Sequence, residues 1–262
     1  MEKTLKNKVV VITGGAAGIG YEIADQYLQK DSKVTILLDI DEKQGTEAAK
    51  TLCTKYGANK AVFIKCDVTK DSETVSAKIF DTYKTVDVLV NNAGIHKEKL
   101  GKKTIETNVW ALIDWSLKFW EHMRTDKNGK GGTIINIASI YGYRVDQYIP
   151  IYQASKFAVM GFTKSLGHAY NYRRSGVRVV AICPGYTETN LIAEPKTWDD
   201  ACSADYHAFM KKQLWQKVDS VGKAAVELTG FIDFFFKIST GLKVKPLGDS
   251  SQFICHLCKI KT

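Results

Sequence analysis

Seven short apolar runs punctuate the chain: "VVVIT" from Val9, "VTILL" from Val34, "AVFIK" from Ala61, "VDVLV" from Val86, "TIINI" from Thr133, "VRVVAI" from Val177 and a weaker "LKV" from Leu242. Most are apolar at consecutive positions, as in strands buried on both faces. The longer stretches between them repeat apolar residues at three- and four-residue steps, the period of a helix with one buried stripe. Strands alternating with helices predict one α/β domain in which a mostly parallel, seven-stranded sheet carries helices on both faces. From Tyr152 the stripe is Val159, Phe162, Leu166 and Ala169. A last long helix is expected from Asp219 as N-cap, with Val221, Ala225, Leu228, Ile232 and Phe235 buried. Residues 190–217 show only a weak helical period, follow a Pro-Gly turn and gather Trp198, Tyr206, Phe209, Leu214 and Trp215, which predicts a substrate lid.

Composition changes this picture little. No linker rich in Pro, Gly or Ser divides the 262 residues, and no internal repeat is visible, so the domain is expected to span 1–262. The net charge of +9 is scattered, which is the look of a solvated surface, and no aromatic signature turns it into a nucleic-acid site. The beginning of the chain has no apolar core with a cleavage site, so a cytoplasmic protein is expected. "FIDFFF" at 231–236 is too short to span a bilayer. The six cysteines are expected to be free thiols, and "CHLC" at 255–258 is half of a zinc or redox site with no matching half elsewhere.

Two stretches carry chemistry. The first strand runs into "TGGAAGIG", where Gly14, Gly18 and Gly20 allow a tight turn and close approach of backbone N–H groups to a pyrophosphate. Asp39, nineteen residues after Gly20, is placed to accept hydrogen bonds from an adenosine ribose and to repel a 2′-phosphate. Its neighbours Ala17 and Ile40 supply no compensating cation, so NAD is expected over NADP. In "YQASK", Tyr152 and Lys156 stand four apart on one helix face. A phenol in water ionises only near pH ~10, and a neighbouring ammonium favours the phenolate.

From Lys8 to about Leu247 the chain resembles the short-chain dehydrogenase/reductase family, through "TGGAAGIG", Asp39, "CDV" at 66–68, "NNAG" at 91–94, "TNV" with Asn108, "INIAS" ending at Ser139, "YQASK" and "PGYTET" at 184–189. Ser139 precedes Tyr152 by thirteen residues, the family's spacing. The stretches "NNAGIHKEK", "YQASKFAVMGFTKS" and "SGVRVVAICPGYTET" are most similar to the branch with the NAD-dependent 15-hydroxyprostaglandin dehydrogenases and insect alcohol-dehydrogenase-like enzymes.

The resemblance implies a Rossmann-type fold and hydride exchange between a nicotinamide and a secondary alcohol or carbonyl. It assigns Tyr152 as general base, Lys156 to tuning the phenol and holding the nicotinamide ribose, Ser139 to the reacting oxygen, and Asn108 to a water that completes a proton relay. Bringing the phenol from ~10 to near 7 asks about 4 kcal/mol of Lys156 and the nicotinamide charge together. The implied cofactor set is Gly14, Ala17, Gly18, Ile19, Gly20, Asp39, Ile40, Cys66, Asp67, Val68, Asn92, Ala93, Gly94, Tyr152, Lys156, Pro184, Gly185, Thr187 and Thr189. Tyr141, Tyr143, Ile149 and Tyr186, with Ser139 and the lid residues, suggest an apolar pocket for a lipid, terpenoid or steroid alcohol. Ile149 stands where the prostaglandin enzymes carry a substrate-binding Gln. Family members pair through the helices after Asn108 and Tyr152, so a homodimer or homotetramer is expected. The rival readings are an idle NAD-binding protein, which the intact set of four disfavours, and a zinc-dependent dehydrogenase, for which the ligand clusters are missing.

Overall fold

Apolar runs become strands in the computed structural model, which describes residues 5–192, 197–230, 243–246 and 253–257. The chain order is β1 (Val9–Thr13), α1 (Gly18–Gln29), β2 (Val34–Asp39), α2 (Glu42–Tyr56), β3 (Ala61–Lys65), α3 (Ser72–Tyr83), β4 (Val88–Asn91), α4 (Gly101–Ile105), α5 (Leu112–Met123), β5 (Gly132–Ile137), α6 (Pro150–Leu166), α7 (Ala169–Ser175), β6 (Val177–Pro184), α8 (Ser203–Lys211), α9 (Asp219–Gly230), β7 (Lys243–Pro246) and β8 (Phe253–Leu257). The sheet order is β3-β2-β1-β4-β5-β6-β8-β7, parallel throughout except for the β7–β8 pair. Consecutive residues of the central strands face opposite sides and are equally buried. Ile12, Leu37, Val90 and Ile135 pack under α1, α2 and α9, while Val11, Ile36, Leu89 and Ile134 pack under α3 and α5. Each such side chain contributes about 1.5–3 kcal/mol by leaving water, so the two-faced burial is what holds the sheet between its helices.

The described sheet has eight strands where seven are expected. The extra strand is β8, whose sequence "FICHL" reads as a CxxC half-site because its Cys and His interrupt the apolar run; Cys258 lies outside the described residues. The weak "LKV" signal corresponds to the antiparallel edge strand β7, with Leu242 outside the description. The stripe from Tyr152 breaks at Gly167, so Ala169 opens a separate helix. Gly167 is close-packed there, since a Cβ would stand 2.4 Å from the Val179 carbonyl oxygen. Asp219 is the first helical residue of α9, with Val218 accepting from Val221 and Gly222 in the N-cap role. Ile232, Phe235 and the rest of "FIDFFF" lie outside the described residues. No helix among the described residues is long and apolar enough to cross a membrane.

Strand order reverses between β1 and β4, where the helices after them leave on opposite sides of the sheet. A crevice opens there at the carboxyl ends of the strands, the usual ligand position in such a fold. Gly14 follows β1, Asp39 ends β2, Asn92 follows β4, Ser139 follows β5, and Pro184 ends β6.

Candidate active site

At one end of the crevice the turn after β1 leaves backbone donors free. Gly14 and Gly18 have φ of +64° and +53°, conformations that disfavour any side chain. A Cβ at Gly20 would stand 2.1 Å from the Gly14 carbonyl oxygen, so α1 begins hard against the turn. Its N-cap, Ala17, supplies no side-chain acceptor, and the first turn holds no acidic residue. These N–H groups form a ready anion site, positive by the helix dipole. The Asp39 carboxylate accepts from Ala16 N and Asp41 N, each at 3.1 Å, which fixes it beside the turn. Ile40 is exposed, and Lys65, opposite Asp39 in the sheet, is paired with Glu42 at 2.9 Å. Cys66 is buried, which pushes its thiol up to about 12, and Cys66 N donates to the Asp39 carbonyl. Asp67 accepts from Thr69 N and Oγ1, while Val68 presents its carbonyl to Trp115.

Asparagines brace the floor. Asn92 Nδ2 donates to the carbonyls of Thr13 and Gly14 at 3.1 and 2.9 Å, and Thr13 Oγ1 accepts from Asn92 N and Ala93 N. The Asn92 amide, one of the implied cofactor contacts, is therefore committed to the glycine turn. Asn91 donates to Asn136 and Ser116, and Asn136 donates to Thr163 on α6, so a buried polar chain sets α6 against β4 and β5. Asn108 sits in a π-helical turn, Glu106–Ala111, between α4 and α5. Its Oδ1 accepts from Ile95 N at 2.8 Å, and its Nδ2 donates to Ile95 O and Ser155 Oγ. Both amide hydrogens are thus engaged. The side chain lies behind the cleft wall and clamps the strand-end segment that follows Gly94.

The cleft itself encloses about 740 Å³ including its mouth, and Ser139, Tyr152 and Lys156 line it together with Ile19, Asn92, Gly94 and the Pro184–Gly185 turn. Ser139 is extended after β5, its Oγ accepts from Tyr141 N at 3.2 Å, and it lines the cleft beside Tyr152. The Lys156 Nζ donates to Ile137 O at 2.9 Å and stands 5.5 Å from the Tyr152 ring centre. Burial pushes the phenol up to about 12, Ser139 pulling the other way, and pushes the Lys156 ammonium down to about 8. The lowering expected of Lys156 and the nicotinamide charge together therefore starts from a raised phenol. Desolvation penalises both charged forms, and the chain's own lysine does not overcome it.

Over the glycine turn lies the loop after β6. Thr187 donates to Gly185 O and accepts from Gln216, and a Cβ at Gly18 would stand 3.5 Å from Thr189 Cγ2. Gln216 also joins Tyr186 and Glu188 through the backbone, closing the 190–217 excursion at its base. Within that excursion α8 is a regular helix despite its weak period, and Tyr148, Tyr206, Phe209, Tyr186 and Trp215 form an aromatic cluster behind the cleft. Tyr141, Ile149, Tyr186 and Tyr206 reach the cleft wall. Tyr143, Trp198 and Leu214 do not; they are exposed, Trp198 donating instead to Gln147 O.

Two neighbours of Tyr152 escape a reading by motif. Glu98 is buried, and its carboxylate accepts from Ile151 N at 2.9 Å and Tyr152 N at 2.7 Å, capping α6 from 53–54 residues away. Pro150 at the first helical turn removes one donor, and Glu98 satisfies the next two. Burial raises the Glu98 carboxyl above its ordinary value despite these bonds. His96 packs its ring 4.7 Å from that of Tyr152. The sole sequence signal for either is position, in "NNAGIHKEK" just after the cofactor-side turn.

The chain is similar in sequence and fold to known proteins. The short chain dehydrogenase family model matches residues 8–200. The chain is similar to 15-hydroxyprostaglandin dehydrogenase (NAD(+)) of Homo sapiens, 36% identical over 190 residues that cover 72% of this chain and 71% of that protein. It is also similar to alcohol dehydrogenase 1 of Ceratitis cosyra, 37% identical over 201 residues covering 75% and 77%. A crystal structure of a short-chain type dehydrogenase/reductase from Mycobacterium marinum superposes with a TM-score of 0.75 at 25% identity, over 86% of this chain and 89% of that one. With its glycine turn, its Ser139, Tyr152 and Lys156 at one cleft and its sequence matched over most of its length, the chain belongs to the short-chain dehydrogenase family.

Proposed function

We propose that this protein is an NAD-dependent enzyme that interconverts an apolar secondary alcohol and its carbonyl. The observation that carries the reading is the convergence of Ser139, Tyr152 and Lys156 on one cleft whose other end is the uncapped, glycine-lined N-terminus of α1. The residues fit a dinucleotide: free N–H groups face the pyrophosphate position, Asp39 is fixed to receive ribose hydroxyls, and Thr187 and Thr189 overhang the nicotinamide end. Asp39, with Ile40 and Ala17 beside it, favours NAD over NADP.

When bound, the nicotinamide accepts or returns the hydride and adds a positive ring beside the phenol. Tyr152 takes the alcohol proton in oxidation and returns it in reduction. Ser139 donates to the reacting oxygen and stabilises its developing charge. Lys156 keeps its proton at pH 7, with its value near 8, and so presents an ammonium to both the phenol and the ribose. From about 12 to near 7 the phenol needs about 7 kcal/mol of help, more than the unburied group would, so binding of cofactor and substrate is what activates the base. Asn108, whose side chain holds the segment through Ile95, is the residue assigned to the water of the proton relay.

Ile140, Ile149, Tyr206 and Met210 on the cleft wall support an apolar alcohol. The 190–217 segment is proposed as the substrate lid of a single-domain enzyme, a reading supported by Tyr206 and Met210 of α8 on that wall; residues 193–196 lie outside the described residues. Exposed Trp110 and Leu117, after Asn108, and Phe157, after Tyr152, support pairing of subunits through those helices. The test is incubation with NAD⁺ or NADP⁺ and a panel of prostanoids, farnesol-like terpenoids, steroids and simple secondary alcohols, following reduced nicotinamide. Turnover with NAD⁺ exceeding that with NADP⁺ is expected. No turnover on the panel would exclude the reading, and equal or better use of NADP⁺ would overturn the role of Asp39.

A further inference from the structure

Among the described residues, one that lines the cleft carries a buried side-chain polar atom with no hydrogen-bond partner. Tyr141 and Tyr186 join their hydroxyls at 2.8 Å, Ser139 Oγ accepts from Tyr141 N, and Lys156 donates to Ile137 O. Several buried side-chain atoms among the described residues lack a hydrogen-bond partner, and of these only His96 Nε2 belongs to a residue that lines the cleft. His96 is 9% exposed, and its ring is tilted 44° against that of Tyr152. A buried polar atom left unpaired is costly, so a native structure that keeps one beside its reactive tyrosine has a use for it.

We infer that His96 recognises the substrate: its imidazole makes a hydrogen bond to a second oxygen of the alcohol, a hydroxyl or carbonyl one or two carbons from the carbinol. This rests on the dehydrogenase reading above and narrows its substrate class from plain apolar alcohols to apolar alcohols with a neighbouring oxygen. The short distance between the two rings places that second oxygen near the reacting carbon. Burial holds the imidazole down to about 4 against the opposing pull of the Asp146 carboxylate, so at neutral pH the ring is uncharged. A neutral imidazole offers one N–H and one lone pair, which suits a hydroxyl or a carbonyl and gives no special welcome to a carboxylate. A site built around such a group discriminates strongly against an analogue that leaves it unpaired.

The test compares kcat/KM with NAD⁺ for 2-octanol, 2,3-octanediol and 2,4-octanediol in the wild type, His96→Phe and His96→Asn. The wild type should prefer one of the diols over 2-octanol by about tenfold or more. In His96→Phe, which fills a similar volume without polar atoms, that ratio should fall by about tenfold, and His96→Asn, which keeps a donor and an acceptor, should retain most of it. A merely structural role would lower both substrates by the same factor and leave the ratio alone. Wild-type turnover of 2-octanol with no preference for either diol, or an unchanged ratio in His96→Phe, overturns the role of His96 alone. No turnover of any of the three by a wild type that oxidises another alcohol of the wider panel overturns this inference alone, and no turnover on that panel overturns the dehydrogenase reading and this inference with it.

Discussion

Replacing Lys156 with methionine removes an ammonium that the fold holds against its own stability. Burial brings that group from 10.5 to about 8, so keeping it charged at pH 7 costs about 3 kcal/mol. Methionine fills the same channel with a flexible apolar chain, at the expense of the bond to Ile137 O, whose loss costs about 1–2 kcal/mol. The variant should therefore be more stable than the wild type by about 1–2 kcal/mol, seen as a rise of roughly 3–6 °C in Tm, while losing its turnover. The pH dependence is a second signature. Between pH 8 and 10.5 the folded wild type has released the proton that its unfolded chain still binds, so wild-type stability rises with pH in that window. The advantage of Lys156→Met is complete below pH 8 and fades towards 10.5. Thermal unfolding followed by circular dichroism at several pH values reads both effects. A variant less stable than the wild type at pH 7, or an advantage that does not change with pH, would refute the claim that Lys156 is held at a cost.

Two further outcomes follow from the surroundings of the tyrosine. Glu98→Gln leaves one of the N–H groups of Ile151 and Tyr152 without its acceptor, so it should lower kcat about tenfold and cost about 1–3 kcal/mol while NAD affinity, measured by fluorescence quenching, stays within about twofold; an equal loss of NAD binding would mean that Glu98 does not act through Tyr152. Light scattering should give a dimer or tetramer, and Trp110→Glu with Phe157→Glu should shift it to the monomer; a monomeric wild type would remove the proposed role of those exposed residues.

Much of the fold was legible because burial on both faces writes itself into consecutive apolar residues. Val34 to Leu38 and Val177 to Ile182 could belong to little else, and their strands lie within a residue or two of expectation. "FICHL" failed because two polar-capable residues inside a short run look like ligands when the partner strand is unknown. The helix from Tyr152 was read too long, since its apolar period continues past Gly167 and the close contact with Val179 that ends it is tertiary. The motifs around Gly14, Asp39, Asn92, Ser139 and Pro184 converge on the crevice because each sits at the carboxyl end of a strand, whereas Tyr152 and Lys156 are brought there by α6 and Asn108 stands behind the wall. Sequence did not reveal that Asn92 and Asn108 spend their amides on backbone, nor that Glu98 caps a helix more than fifty residues away. Those bonds join segments that only the packed sheet brings together. The burial that raises the Tyr152 phenol before any cofactor acts on it was not legible either: charge partners can be counted in a motif, whereas desolvation belongs to the whole fold.

The most direct test of the account is Tyr152→Phe assayed beside the wild type for NAD binding and for NADH formation with whichever secondary alcohol the wild type turns over. The phenol is the group proposed to move the proton, and removing its oxygen leaves the glycine turn and Asp39 untouched. Binding within about twofold of wild type, with turnover lowered by about a thousandfold or more, is predicted. Near-normal turnover in the variant would contradict the account.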